Sequence, residues 1–197
     1  MNIPTFPARP INGGPLDRAR PKNGDWWAEP KYNGWRVLVH APSRACWNRE
    51  GKPLSIESAF ADSLLKLAEV ADATDIAWFD CEGLERRHKI GQGSLVVLDA
   101  IILPGRPIYS ERRRMLEAAI PLHRWNETIP ANSLRLVDTK DSDIAPELWE
   151  KLKEFNAEHG AEFYEGIVMK RLTSPYPIQI RSPREEFAGW MKHRWEF

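Results

Sequence analysis

Glu29-Pro30-Lys31-Tyr32-Asn33-Gly34-Trp35-Arg36 is the stretch on which the reading of this chain turns. A lysine precedes an Asn-Gly pair, and a strand follows. Trp35, Val37 and Val39 share one of its faces, and Arg36, Leu38 and His40 share the other. The turn therefore sets an amine at the lip of a sheet. Asn-Gly is also the commonest hairpin signal, so the block taken alone suits a plain turn with an exposed lysine equally well.

Upstream, residues 1–24 carry Pro4, Pro7, Pro10, Pro15 and Pro21 with Gly13, Gly14 and Gly24. Proline denies a ladder its N–H groups, so this segment reads as an extended arm with turns, part of the same domain as residues 25–197. Downstream, Arg44 to Asn48 enter a hairpin that turns at Glu50-Gly51. A helix is expected behind Ser55, with Phe60, Leu64 and Leu67 at helical spacing. Further helices are expected behind Ser110 and across residues 146–160, the last stopping at Gly160. The apolar runs 76–85, 94–103, 163–172 and 188–195 read as strands. Strands dominate and three helices interrupt them, which gives an α+β fold of antiparallel sheets flanked by helices.

The 197 residues suffice for one domain with a sizeable core. Nine Trp and 16 Pro point to a loop-rich, sheet-containing globule rather than a helical bundle. With 28 Lys+Arg against 28 Asp+Glu, the composition has no global nucleic-acid signature, so any such contact must come from local patches. No apolar run approaches a membrane span and no apolar h-region follows Met1, so no membrane association is expected. Cys46 and Cys81 cannot build a disulfide framework and fit a reducing cytoplasm. The five histidines show no metal-ligand spacing. Four arginines between Arg106 and Arg114 suit either a phosphate patch or a hydrated helix start.

Three more blocks carry chemistry. In Phe79-Asp80-Cys81-Glu82-Gly83 the two carboxylates point the same way along a strand, as a hard divalent cation or a solvent-facing edge would have them. In Tyr164-Glu165-Gly166-Ile167-Val168-Met169-Lys170 an acid and a base flank a short apolar run. In Trp190-Met191-Lys192-His193-Arg194 a basic pair shares one face, and His193 alternates away from it. Each is weak alone.

In this order, the blocks resemble the covalent nucleotidyltransferase superfamily of ATP-dependent polynucleotide ligases and capping enzymes. Its lysine motif corresponds to Lys31–Arg36, its carboxylate motif to Asp80–Gly83, its aspartate strand to Val96–Asp99, its Glu-Gly motif to Glu165–Lys170 and its final basic motif to Lys192–Arg194. Arg49-Glu50-Gly51 resembles the Arg-x-Gly turn of DNA ligases, and Tyr176, Arg181-Ser182 and Trp190 echo the approach to the last motif. Three positions depart from the pattern. Asn33 replaces an aspartate, Leu98 stands where an aromatic ring is common, and Arg194 replaces a lysine.

The resemblance implies the adenylation domain of an ATP-dependent DNA ligase, with RNA ligase, guanylyltransferase or a non-catalytic nick-binding module as alternatives. Lys31 would form lysyl-AMP from ATP, with Lys192 and Arg194 as catalytic cations. Glu29, Arg36, Arg49, Glu82, Ile167 and Lys170 would bind the nucleotide, and Glu165, Asp80 and Glu82 would hold Mg²⁺. Nicked double-stranded DNA is the implied partner of a monomeric, cytoplasmic protein of bacterial or viral origin. Relatives usually continue into an OB-fold domain, which nothing after Arg194 can form. A separate OB-fold or clamp protein is accordingly the further partner expected, and sealing of an already adenylylated nick is expected to outpace full ligation.

Overall fold

A computed structural model describes residues 7–21, 25–84, 89–102, 105–178 and 185–195. The motif residues Arg181 and Ser182, and His88, lie outside them. In chain order the elements are β1 (Arg9–Asn12), α1 (Leu16–Ala19), β2 (Trp26–Tyr32), β3 (Trp35–His40), β4 (Ala45–Asn48), β5 (Pro53–Leu54), α2 (Ala61–Thr74), β6 (Trp78–Leu84) and β7 (Ser94–Ala100). There follow α3 (Tyr109–Ala119), β8 (Leu122–His123), β9 (Leu134–Val137), β10 (Lys140–Asp141), α4 (Ala145–His159), β11 (Tyr164–Arg171) and β12 (Glu186–Arg194). The fold is α+β, as expected. No described helix is long and apolar enough to cross a membrane.

Two sheets organise these strands, in the orders β1-β12-β11-β2-β10 and β5-β4-β3-β6-β7-β9-β8. Asn33-Gly34 is therefore no hairpin turn, because it carries the chain from one sheet to the other. The side chains before and after it belong to different cores. Trp26, Ala28 and Tyr32 pack with Leu148, Leu152 and Phe155 of α4, whereas Val37 and Val39 pack with Leu64 and Leu67 of α2. A Cβ on Gly34 would stand 2.6 Å from the Gly83 carbonyl oxygen, so the crossing demands glycine. Asn33 ties the crossing down by donating its side-chain N–H to the Glu162 carbonyl at 3.0 Å. An aspartate could not donate there, which gives a structural reason for this departure from the pattern.

Several local expectations change. The segment behind Ser55 begins as a 3₁₀ turn over Glu57–Phe60, so α2 starts at Ala61 without Ser55 as its cap. Helix α3 starts at Tyr109, ahead of Ser110, and the Glu111 carboxylate accepts the Ile108 N–H at 3.0 Å. Two of the clustered arginines form no phosphate patch. Arg112 is fully buried and donates to both oxygens of Asp99 at 2.8 and 2.9 Å, while buried Arg113 holds Glu117 and the Val137 carbonyl. The arm contains β1, which pairs in parallel with β12.

Gly166 interrupts the pairing of β11 with β2 between Tyr164 and Gly166. Its φ is +145°, and a Cβ there would fall 1.9 Å from the His193 carbonyl oxygen, a fixed backbone atom of β12. Gly166→Ala should therefore cost more than about 2 kcal/mol of stability in urea unfolding. A cost within about 0.5 kcal/mol would show that β11 and β12 separate freely at this point.

Candidate active site

The facing strands of the two sheets enclose a cavity of about 490 Å³. The register of β2, β11 and β12 arranges its floor in rows. Lys31 lies opposite Gly166, which lies opposite Arg194, and Glu29 lies opposite Val168, which lies opposite Lys192. Lys170 lies opposite Trp190 at the far end. In strict alternation Glu165 would share a face with Ile167 and Met169, which are fully buried in the core beside α4. The irregularity at Gly166 re-aims it, so Glu165 joins Val168 and Lys170 on the cavity side. Ile167 is thus corrected from nucleotide contact to core residue, and Val168 takes the cavity position.

At one end Glu165 accepts hydrogen bonds from Lys31 Nζ and, at 2.9 Å, from Arg194 Nη2. Lys192 lies alongside. Partial burial, with Arg194 and Lys31 nearby, lowers its pKa. Glu82 also lines this end and accepts the Gly34 N–H at 3.0 Å. Asp80 does not line the cavity. Its fully buried carboxylate accepts from Arg36 Nε at 2.9 Å and Nη2 at 2.5 Å, and from the Tyr176 hydroxyl at 2.8 Å. The expected metal ligand is accordingly an anchor that holds Arg36 against the Trp190 ring, 5.6 Å from its centroid.

At the other end Glu29 is 2% exposed and its oxygens are divided between two donors, the Tyr109 hydroxyl and Lys170 Nζ, the latter at 2.9 Å. Burial raises its pKa against the pull of Lys170. Lys170 also donates to the Leu98 carbonyl at 2.8 Å and sits 4.6 Å from the Trp190 ring centroid. Leu98 and Trp190 line the cavity there, and Trp190 is a buried ring with Lys170 and Arg36 over it. Arg49, after β4, reaches the cavity as well.

Sequence reasoning missed two residues. Tyr109, at the start of α3, reaches Glu29 across the fold, and Arg9 of the arm lines the cavity. Neither carries a motif, and only the tertiary arrangement brings them in. His123 and His193 are buried in hydrogen bonds to Tyr32 and to the Gly14 carbonyl, away from the cavity.

Seven cationic side chains line the cavity against three carboxylates, which suits a polyanion. No group of three or more His, Cys, Asp or Glu side chains able to hold a metal occurs among the described residues. Glu82 and Glu165 nevertheless share one end of the cavity. One or two carboxylates completed by phosphate oxygens and water is the donor set Mg²⁺ favours, so this pair fits it.

No family model matches the chain, and no curated protein matches it. Solved structures do. The ligase domain of M. tuberculosis LigD aligns with a TM-score of 0.60 at 20% identity, over 96% of this chain and 59% of its own. A Lig E DNA ligase aligns with a TM-score of 0.60 at 12% identity, over 98% of this chain and 70% of its own. An archaeal ATP-dependent RNA ligase aligns with a TM-score of 0.60 at 18% identity, over 98% of this chain and 48% of its own. The chain thus spans about three-fifths of the LigD structure's length and half of the RNA ligase's. It has the fold of ligase-type nucleotidyltransferase domains.

The electrostatics of this site make a pH prediction. Burial, reinforced by nearby Glu165 and opposed by Lys31 and Arg36, raises the Glu82 carboxyl from 4.5 to about 7. Between those values the folded state keeps a proton that the unfolded state has released, so this group's contribution to stability falls as pH rises. Glu82→Gln retains an acceptor for the Gly34 N–H and removes the titration. Urea unfolding in chelator should show the variant gaining on the wild type between pH ~5 and pH ~8. A constant difference across that window would place the Glu82 carboxyl in its ordinary range.

Proposed function

We propose that this chain is the nucleotidyltransferase domain of an ATP-dependent polynucleotide ligase, acting on nicked DNA. The observation that carries the reading is the row Lys31–Glu165–Arg194 in a cation-rich cavity, on a fold shared with ligase domains. A mycobacterial DNA ligase D of the same fold has been solved in complex with ATP.

In this reading Lys31 Nζ attacks the α-phosphorus of ATP. An N–P bond forms, the bond to the bridging oxygen breaks, and pyrophosphate leaves. The attacking amine must first give up its ammonium proton, and Glu165, its hydrogen-bond partner, is placed to take it. Lys192 and Arg194 stabilise the negative charge that grows on the phosphate oxygens. The nucleoside lies toward Leu98, Val168 and Trp190, with Glu29, held by Tyr109 and Lys170, facing its edge. Mg²⁺ held by Glu82 and Glu165 would add neutralising charge on the phosphates when bound. The AMP then passes to a 5′-phosphate, and attack by the 3′-hydroxyl seals the nick with release of AMP.

A second reading, RNA as substrate, draws support from the archaeal RNA ligase of equal TM-score. Denaturing gels of nicked DNA and nicked RNA duplexes, each with ATP and Mg²⁺, separate the two. The expected result is joining of the DNA, and joining of the RNA alone would replace the first reading with the second. Joining of neither, with no protein labelling by ATP or GTP, would remove both. Glu165→Gln should slow AMP transfer to the protein at least about tenfold. Its unfolding free energy should change by no more than about 2 kcal/mol, because Gln keeps a side-chain oxygen that accepts from Lys31 and Arg194. Unchanged transfer would detach Glu165 from the chemistry.

A further inference from the structure

The proline-rich arm forms one wall of the cavity. Asn12 of β1 lies opposite Lys192 of β12, and the Gly13 N–H donates to the Lys192 carbonyl at 2.9 Å. Arg9 and Pro10 reach the cavity from this strand, and Pro7 from the arm just before it. The arm thereby places a guanidinium among the groups of the final basic motif, in a place no motif marks.

Arg9 differs from most of the cations around it. Lys31 and Arg194 share Glu165, Lys170 holds Glu29, and Arg36 holds Asp80. Among the described residues Arg9 forms no ion pair, and its buried Nε has no hydrogen-bond partner. A guanidinium keeps its proton at every physiological pH and presents a planar fork of donors. A buried donor left unmade costs free energy that a bound acceptor recovers. Arg49 and Lys192 are the other lining cations without an ion pair among the described residues, and Lys192 is close enough to feel the charge of Arg9. Three cations without an ion pair among the described residues line one cavity, which suits an anion with several oxygens, and a forked donor matches a phosphate best.

We infer that Arg9 is a phosphate-binding residue, donating to the oxygens of a phosphate group seated beside Lys192, and that the arm is part of the binding site. This rests on the proposed nucleotidyl transfer. The phosphate could come from the outer phosphates of ATP or from the 5′-phosphate of a nucleic-acid end, since both present the same oxygens.

The test uses the full chain, with Arg9→Gln and Arg9→Lys. Calorimetric titration with inorganic tripolyphosphate and with adenosine separates phosphate contact from general damage to the cavity. Arg9→Gln should weaken tripolyphosphate about tenfold and leave adenosine unchanged, with Arg9→Lys between it and the wild type. Two further measurements assign the source. A raised KM for ATP in protein labelling, at unchanged kcat, assigns the triphosphate. Loss of the preference for a nicked duplex bearing a 5′-phosphate over one bearing a 5′-hydroxyl assigns the nucleic acid. Either supports the inference. Unchanged tripolyphosphate affinity together with unchanged 5′-phosphate preference overturns it, as does an equal loss of tripolyphosphate and adenosine. A wild type that binds tripolyphosphate but takes no label from ATP would count against the proposed function and leave the role of Arg9 standing.

Discussion

The chain must leave one sheet after Tyr32 and enter the other at Trp35, and the site depends on this crossing. Two residues accomplish it, so Lys31 and Arg36 end up on facing walls of one cavity. The space beside Gly34 is filled by the Gly83 backbone and the Glu82 side chain, which fixes how closely the sheets approach. Asn33 holds the same point from the other side through the Glu162 carbonyl and, by its backbone N–H, the Phe163 carbonyl at 3.0 Å. The crossing thus joins the lysine strand, the carboxylate of Glu82 and the start of β11 in a single packed unit.

Charge is distributed over the cavity in a graded way. Deep in the fold, Asp80 with Arg36 and Asp99 with Arg112 are closed pairs with bidentate geometry and additional donors. Breaking such a pair leaves one buried charge uncompensated, so these groups hold the frame and do not exchange partners. Asp99 illustrates it, because Arg112 and Lys170 overcome the desolvation of burial and keep its pKa low. Nearer the opening, one carboxylate, Glu165, serves both Lys31 and Arg194. Arg194 is also half exposed in this pairing, where the cations of the closed pairs are buried or nearly so. The frame is satisfied internally while the working end is left short of negative charge.

Much of this was legible in the order of residues. The alternation of Lys192, His193 and Arg194 reads directly as a basic face with a buried histidine behind it, and β12 has that arrangement. The helix ending at Gly160 was legible because a left-handed C′ residue favours glycine, and its φ is +57°. Strict alternation fails at Glu165 and Ile167, because a pattern of period two carries no notice of an irregular residue between them. The pairing of Asp80 with Arg36 was hidden for another reason. Two carboxylates on one strand face look alike in sequence, yet one lies beneath Tyr176 and the other at the cavity wall. Tyr109 and Arg9 were illegible because their roles come from elements that pack together only in the folded chain.

In the proposed reaction Lys31, placed by the sheet crossing against Glu165 and the basic pair of β12, is the nucleophile. Peptide mapping by mass spectrometry, after incubation of the purified chain with ATP and Mg²⁺, tests it most directly. The expected product carries one AMP, on the peptide containing Lys31, and excess pyrophosphate removes it. AMP on another lysine, or no adduct with either ATP or GTP, would contradict it.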